Sequence, residues 1–408
     1  MKRLNLISIE EAQERIDTQF IDYELETEEL LLTECRGRIL GEEIYSPINV
    51  PDYRRSTVDG YAVRTEDLEG ASLDAPILLK LIGKSEMGYL TDLEVKPHET
   101  VYVPTGGMVP VGANAMIMQE YTEPKEDGVL FEISASELEN MIDVGGDIMK
   151  DSLILRKGSL IRTQEIGAMA SIGKKMVKVY KKPRVSIICT GDELISIDED
   201  LTPGKIRDMN TITLKMIAEE LGCIVVRNEL VKDDFDAILK VVGDAVDESD
   251  LVVVSGGSSV GEKDVTADIF RTLEENSVFM HGIRVKPGKP TIVANIQGKP
   301  VFGLPGHPVS ALNIFRIFVR RALDRIQLQK DSIPRMVRSS CQEGFVASPE
   351  RDTYQMVRFT DDSMGHFVKV TGKSGMITLL TKADGYVLIR AHDNVVNTGD
   401  VFEVILFD

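Results

Sequence analysis

The stretch DLVVVSGGSSVGEKD, from Asp250 to Asp264, decides the fold. Its apolar run, Leu251 to Val254, stands between an acid and paired glycines, which is the pattern of a strand buried on both faces of a parallel sheet. A helix is predicted after the loop, from about Val265 to Glu275. Glycine lets an anion approach the backbone closely, and serine hydroxyls and free amides can then donate hydrogen bonds to it. The stretch therefore predicts an anion-binding loop, although a turn that needs glycine only for its geometry would show the same pattern.

The sequence on both sides of this stretch alternates strands and helices, which predicts a doubly wound α/β unit from about Arg184 to Leu328. Loops at the carboxyl ends of parallel strands share one edge of the sheet and line a ligand crevice. We therefore expect four strand-end loops to converge: Thr190–Leu194, Lys232–Asp234, Ser255–Asp264 and Pro305–Ser310. The acids and loop residues that would meet there are Asp192, Glu193, Asp233, Asp264, Ser255, Gly256, Gly257, Ser258, Ser259 and Gly261.

The segments outside this unit follow other patterns. Apolar residues at helical spacing predict a helix from Ile9 to Asp22 with Ser8 as its N-cap, and a second helix from Thr163, itself the cap, to Ile172. Short strands separated by turns predict a mostly-β region from about Ala75 to Ile133 and a small β unit from Arg335 to Asp408. The basic run Lys174–Lys182 is interpreted as a linker and domain boundary.

Composition narrows the class of protein. The 408 residues carry a net charge of −19, which argues against broad binding to nucleic acid or to anionic membranes. No apolar run approaches the roughly 20 residues that span a bilayer, and the N-terminus becomes acidic too early for a signal peptide, so a cytoplasmic location is expected. Four scattered cysteines and five unclustered histidines do not indicate a zinc site, and Cys189 and Cys223 are predicted to be buried apolar residues.

Seven motifs together resemble the molybdopterin molybdenumtransferase family of the MoeA type, which includes the gephyrin E domain. The resemblance extends over essentially the whole chain. In chain order the motifs are VDGYAV from Val58, PTGGMVPVGANA from Pro104, GGD from Gly145, TGDEL from Thr190, SGGSSVGEKD from Ser255, KPGKP from Lys286 and LPGHPVSA from Leu304.

The resemblance implies a homodimer whose subunits have four domains. Domain I is discontinuous and helix-bearing, domain II is β-rich and inserted into it, domain III is the wound α/β molybdopterin-binding unit, and domain IV is a small β unit. The implied bounds are 1–26 with 44–51 and 142–178 for domain I, 27–43 with 52–141 for domain II, 179–328 for domain III and 329–408 for domain IV.

The activity that the resemblance implies is insertion of molybdate into adenylylated molybdopterin with release of AMP, in the presence of Mg²⁺. The family's functional positions fall on Asp59, Thr105, Asp147, Glu193, Asp233, Asp264, Lys286, Pro305 and Pro308. Glu193, Asp233 and Asp264 would hold the metal and its waters, because Mg²⁺ prefers carboxylate and phosphate oxygens. Asp59 and Thr105 would reach in from the partner subunit. Residues expected to bind substrate are Ser255 to Gly261, Arg284, Lys286, Lys289, Pro305, Gly306, Pro308, Ser310 and Ser374.

Two departures from the family pattern stand near the predicted site, and the first of them concerns one anion contact. Gly282 stands where some members have a lysine, and His307 stands where an asparagine is frequent. Three alternatives remain open: a tungstate-specific paralogue, a molybdopterin adenylyltransferase, whose family is typically the wound domain alone and which is also a candidate partner, and a non-catalytic scaffold.

Overall fold

The computed structural model describes residues 6–256, 265–328, 334–360 and 365–407. Within these residues the chain forms three six-stranded sheets, several short two-stranded pairings and helices on both faces of one sheet. The expected combination of a doubly wound α/β unit with β-rich units is therefore confirmed. In the same part of the chain, no helix has both the length and the apolar composition needed to cross a membrane.

The central unit is built on a mixed sheet. Its first four strands in spatial order are parallel, and the last two alternate in direction. Val253 packs into one apolar cluster while Val252 and Val254 pack into the other, so this strand is buried on both faces as its sequence predicts. The strands in spatial order are Ile224–Val231, Arg184–Thr190, Leu251–Ser255, Lys299–Leu304, Ile292–Ile296 and Val278–His281.

Helices cover both faces of this sheet. One face carries Phe235–Glu248 and Val265–Leu273. The other carries Asn210–Glu220 and a long helical segment in which Pro308–Ile314 and Arg320–Ile326 are joined by the π-helical turn Phe315–Val319. A short parallel strand pair, Leu194–Ile195 with Ile206–Arg207, lies in sequence between the strand Arg184–Thr190 and the helix Asn210–Glu220.

The N-terminal helix Ile9–Gln19 packs on the central unit. The hydroxyl of Ser8 accepts a hydrogen bond from the backbone amide of Glu11 at 3.1 Å, which confirms the predicted cap. Ile9, Ala12, Ile16 and Phe20 belong to the same apolar cluster as the helix Arg320–Ile326. The apolar face of this helix is therefore buried against the α/β unit.

A separate apolar core joins segments that are distant in sequence. Thr27–Leu31 pairs antiparallel with Met176–Tyr180, and Ile44–Tyr45 pairs with Leu153–Leu155. Buried residues from 27–43 share this core with buried residues from 161–179. The interpretation of the basic run as a linker is corrected, because the run is largely a strand, in which Val177 and Val179 are buried while Met176 and Lys178 are exposed.

The helix of this core runs from Thr163 to Ser171, and the residue before it is the N-cap. Arg162 is the N-cap, and its backbone amide donates to Glu165 Oε2 at 2.8 Å. The prediction that Thr163 is the cap is therefore wrong. The carboxylate of Glu165 satisfies an amide at the helix start that has no partner within the helix.

The β-rich unit and the C-terminal unit each have a sheet and a core of their own. The β-rich sheet contains, in spatial order, Ala115–Met118, Gly60–Val63, Glu99–Val103, Ile77–Lys84, Gly128–Phe131 and Thr122–Lys125, with Arg55–Ser56 pairing Met141–Ile142 beside it. The C-terminal sheet contains Val285–Lys286, Asp352–Phe359, Gly385–Ile389, Val401–Leu406 and Met336–Ser340, with Phe367–Lys369 alongside and Phe345–Val346 pairing Val395–Val396. Short 3₁₀ helices occupy Leu32–Glu34, Thr65–Leu68, Gln119–Tyr121, Ile377–Lys382 and Ala391–Asp393.

One strand of the C-terminal sheet comes from the central part of the sequence. The segment Val278–Lys286 is divided between two sheets: Val278–His281 lies in the central sheet, and Val285–Lys286 pairs with Asp352–Phe359. The KPGKP motif therefore lies where the two units meet.

Candidate functional site

The loops after the first two central strands meet at one edge of the sheet. The backbone amide of Asp233 donates to Asp192 Oδ1 at 3.3 Å, and that of Gly191 donates to the carbonyl of Val231 at the same distance. Asp192, Glu193 and Asp233 are all exposed. A Cβ on Gly191 would lie 2.8 Å from Glu193 Oε2, so the carboxylate of Glu193 rests against the turn. The predicted meeting of these two acidic loops is present.

A buried asparagine joins the next two loops. Asn210, the first residue of its helix, donates from Nδ2 to Ser255 Oγ at 2.8 Å and to the carbonyl of Gly306 at 2.9 Å. Ser255 is 1% exposed and Asn210 is 8% exposed. The start of the glycine–serine loop is thereby tied to the Pro305–Ser310 turn.

Gly256 is required by close packing against a neighbouring strand end. Its φ is +118°, and a Cβ there would lie 2.3 Å from the carbonyl oxygen of Thr190. The amide of Gly256 donates to the carbonyl of Leu304 at 3.3 Å. Steric need therefore accounts for this glycine whether or not the loop binds an anion. The other residues predicted for the loop, Gly257, Ser258, Ser259, Gly261 and Asp264, lie outside the described residues.

The C-terminal unit contacts the same edge. His307 Nδ1 lies 3.0 Å from the hydroxyl of Ser374, and the amide of Val309 donates to the carbonyl of Ser374 at 3.2 Å. Pro308 is the first residue of its helix, a position that suits proline because the amide there has no partner within the helix. Pro305 and Ser310 are buried, whereas Gly306 and His307 are exposed. Ser374 is therefore adjacent to the Pro305–Ser310 loop, which is also predicted to bind substrate.

The three predicted basic residues lie along the junction of the two units. Lys286 is exposed and pairs in register with Thr353. The carbonyl of Lys289 accepts from the amide of Ile283 at 3.0 Å, which closes the KPGKP turn. Arg284 is exposed, and its Nη2 lies 3.5 Å from the carbonyl of Leu6. These cations supply positive charge at this junction in a chain of net charge −19.

Two further predicted residues lie together on the β-rich unit. The backbone amide of Thr105 donates to Asp59 Oδ1 at 2.8 Å, and both side chains are exposed. The glycine of the Asp-Gly step is needed sterically, because a Cβ on Gly60 would lie 1.9 Å from the carbonyl oxygen of Ile117. In the hydrogen bonds and ion pairs of the described chain, no contact joins Asp59 or Thr105 to the central edge.

Asp147 lies on a separate turn. Its amide donates to the carbonyl of Val50 at 3.0 Å, and its side chain is exposed. On the same turn, Asp143 Oδ1 accepts from Arg54 Nε at 3.0 Å, and this contact lowers the pKa of the Asp143 carboxyl from its usual value. The turn is thus held to the Arg54 segment and presents Asp147 to solvent.

The carboxylates at the edge fit Mg²⁺ in the way that this ion commonly binds with phosphate substrates. Mg²⁺ usually takes one or two protein carboxylates and completes its shell with water and substrate oxygens. Asp192, Glu193 and Asp233 are exposed oxygen donors on adjoining turns. Among residues 6–256, 265–328, 334–360 and 365–407, no group of three or more acidic, histidine or cysteine side chains is arranged to hold a metal by itself.

The sequence analysis missed Asn210. A polar residue at the start of a helix ordinarily suggests capping, and here the cap-like contact is made by Asp208, whose carboxylate accepts from the amide of Thr211 at 3.2 Å. The role of Asn210 depends on two partners that are 45 and 96 residues away. The predictions for Cys189 and Cys223 are confirmed, since both are buried free thiols whose pKa burial raises.

Comparison with known proteins places the whole chain in one family. Family models match three consecutive parts: the MoeA N-terminal region (domain I and II) over residues 7–173, a probable molybdopterin binding domain over 186–325, and the MoeA C-terminal region (domain IV) over 338–407. A molybdopterin molybdenumtransferase of Staphylococcus epidermidis is 30% identical over 402 residues, which cover 98% of this chain and 95% of that protein.

Solved structures agree with this match. Two crystal structures of the molybdopterin biosynthesis MoeA protein from Pyrococcus horikoshii each cover 99% of this chain and 100% of theirs. One is 33% identical with a TM-score of 0.79, and the other is 28% identical with a TM-score of 0.83. Sequence motifs, domain matches and fold therefore lead to a single conclusion: the chain belongs to the MoeA family.

Proposed function

We propose that this protein inserts molybdate into adenylylated molybdopterin, with release of AMP, as the last step of molybdenum cofactor synthesis. The observation that carries the proposal is the convergence of strand-end loops at one edge of the unit that matches a molybdopterin binding domain. Relatives that span the same length bear the name of this transferase.

The residues at the edge suit both the binding of a metal ion and the binding of the anionic substrates. Glu193 and Asp233, with Asp264, would hold Mg²⁺, which when bound would neutralise charge on the phosphates of the cleaved anhydride. The loop from Ser255 would bind the molybdopterin phosphate through amides and hydroxyls. Lys286, with Arg284 and Lys289, would attract molybdate and the leaving phosphate of AMP.

We also propose that the active site is shared between two copies of the chain. Asp59 and Thr105 are joined to each other but not, in the described residues, to the central edge. A C2 dimer could bring the β-rich unit of one copy to the edge of the other, since such an interface applies the same contact twice. Asp147 would belong to the same composite site. A working partnership with the molybdopterin adenylyltransferase and a cytoplasmic location are part of this proposal.

The competing functions are less well supported. A molybdopterin adenylyltransferase would need only the wound domain, whereas this chain also matches the MoeA N-terminal and C-terminal regions. A scaffold without chemistry would have no need for the exposed acids at the edge. Tungstate in place of molybdate would use the same cations, so the oxyanion has to be identified by experiment.

Reconstitution tests the proposal. The protein is mixed with adenylylated molybdopterin and Mg²⁺, and AMP release is followed with molybdate, with tungstate and with neither. We expect release that depends on both metal and oxyanion and that Asp264→Ala abolishes. Formation of adenylylated molybdopterin from molybdopterin and ATP would instead support the adenylyltransferase, and undiminished cofactor assembly by Asp264→Ala would support the scaffold.

A further inference from the structure

Asn210 is a buried residue whose side chain contacts two loops of the candidate site. It is nearly buried, and each of its two acceptors lies at or just beyond the end of a different central strand. Ser255 ends the strand Leu251–Ser255, and Gly306 follows the strand Lys299–Leu304 by two residues. These strands are neighbours, with Ser255 in register with Leu304.

The geometry makes the amide a spacer between two loops. One Nδ2 atom serves both contacts, so the serine hydroxyl and the glycine carbonyl are held at a fixed separation. Losing the amide donor would remove this partner from the buried hydroxyl of Ser255 and would release the carbonyl of Gly306, which is exposed. Because Asn210 is nearly buried and contacts both loops, it can affect them without touching a ligand.

We propose that Asn210 is a positioning residue for the reaction, which presets the start of the glycine–serine loop against the Pro305–Pro308 turn. The inference rests on the proposed function, because it assumes that these two loops hold the molybdopterin phosphate. A pocket that is already spaced for its ligand binds it without having to order the loops first. Asn210 therefore acts through Ser255 and Gly306 on substrate affinity.

The test separates KM from kcat in molybdate-dependent AMP release. Asn210→Ala and Asn210→Asp are compared with wild type, the second because it keeps the side-chain shape but cannot donate from that atom as a carboxylate. Thr213→Ala is the matched control, since Thr213 lies on the same helix and its hydroxyl donates to Met209 and not to the loops. A double variant, Asn210→Ala with Ser255→Ala, tests the route of the effect.

We expect KM for adenylylated molybdopterin to rise about tenfold in both Asn210 variants, with kcat within about twofold and Thr213→Ala unchanged. The double variant should be no worse than the more severe single variant. An unchanged KM with a lower kcat and a lower melting temperature would mean a purely structural role and would overturn the proposal. The proposal would also be overturned if the rise in KM of the double variant equalled the product of the rises seen in Asn210→Ala and Ser255→Ala. Failure of the wild type to release AMP would instead contradict the proposed function.

Discussion

His307 and Ser374 form a 3.0 Å hydrogen bond between the central unit and the C-terminal unit. It closes one side of the edge at which the acidic loops and the glycine–serine loop meet. The bond also gives a structural role to His307, the residue before the helix that begins at Pro308.

Removing the serine hydroxyl should loosen this closure. We predict that Ser374→Ala raises KM for adenylylated molybdopterin by about threefold to tenfold, as expected from the loss of one hydrogen bond. Steady-state AMP release measures the change. Thr381→Ala is the control, since its hydroxyl donates within the same unit to the carbonyl of Thr378. A Ser374→Ala enzyme with the KM of wild type would show that the closure does not matter for binding.

A shared active site predicts complementation between inactive variants. Asp59→Ala and Asp233→Ala should each be inactive, because each removes one half of every site. After the two proteins are mixed and allowed to exchange subunits, half of the dimers carry one site with both acids intact, so about a quarter of wild-type activity should return. If activity stays absent although exchange is demonstrated by a tagged subunit, the two residues do not belong to one composite site.

The sequence predicts much of this arrangement because the relevant signals are local. A strand between an acid and paired glycines is buried on both faces, and Ser8 caps the first helix, as their residues indicate. The basic run Lys174–Lys182 is not a linker, because its valines alternate with exposed residues, which is a strand pattern. The many lysines of the run make this pattern hard to recognise in the sequence. Asn210 could not be predicted, since only the folded chain brings Ser255 and Gly306 to its amide.

Glu165 should stabilise the protein in a pH-dependent way. Hydrogen bonds from the Arg162 guanidinium lower the pKa of this carboxyl below its usual value of 4.5. A lowered pKa in the folded state contributes stability that is present above pH 4.5 and lost as the pH falls through the folded value. Glu165→Gln should therefore cost about 0.5–1 kcal/mol at pH 7, and the difference from wild type should shrink as the pH falls below 4.5. Denaturant unfolding at pH 7 and at a series of acid pH values measures it, and a difference that grows in acid would contradict the assignment.

Asn313 offers a stabilising substitution. Its side chain is 1% exposed, and neither its oxygen nor its nitrogen has a hydrogen-bond partner in the described structure. Asn313→Leu removes an unsatisfied buried amide at similar volume, so the melting temperature should rise by about 2–6 °C.

The matched control for this prediction is Asn394→Leu, which removes an amide that donates to Ala347 and should not stabilise. Differential scanning calorimetry compares the three proteins. A lower melting temperature for Asn313→Leu would mean that the amide has a partner, such as a buried water.

The most direct test of the account compares two aspartates that are three residues apart. Asp233 lies in the loop that contacts Asp192, whereas Asp236 is an exposed acid in the first turn of the next helix. Single-turnover AMP release is measured with molybdate and Mg²⁺ for Asp233→Asn and Asp236→Asn. We predict at least a hundredfold slower release for Asp233→Asn, on the order of the loss when a transition-state contact is removed, and wild-type release for Asp236→Asn. Equal rates for wild type and Asp233→Asn would contradict the claim that the strand-end loops form the active site.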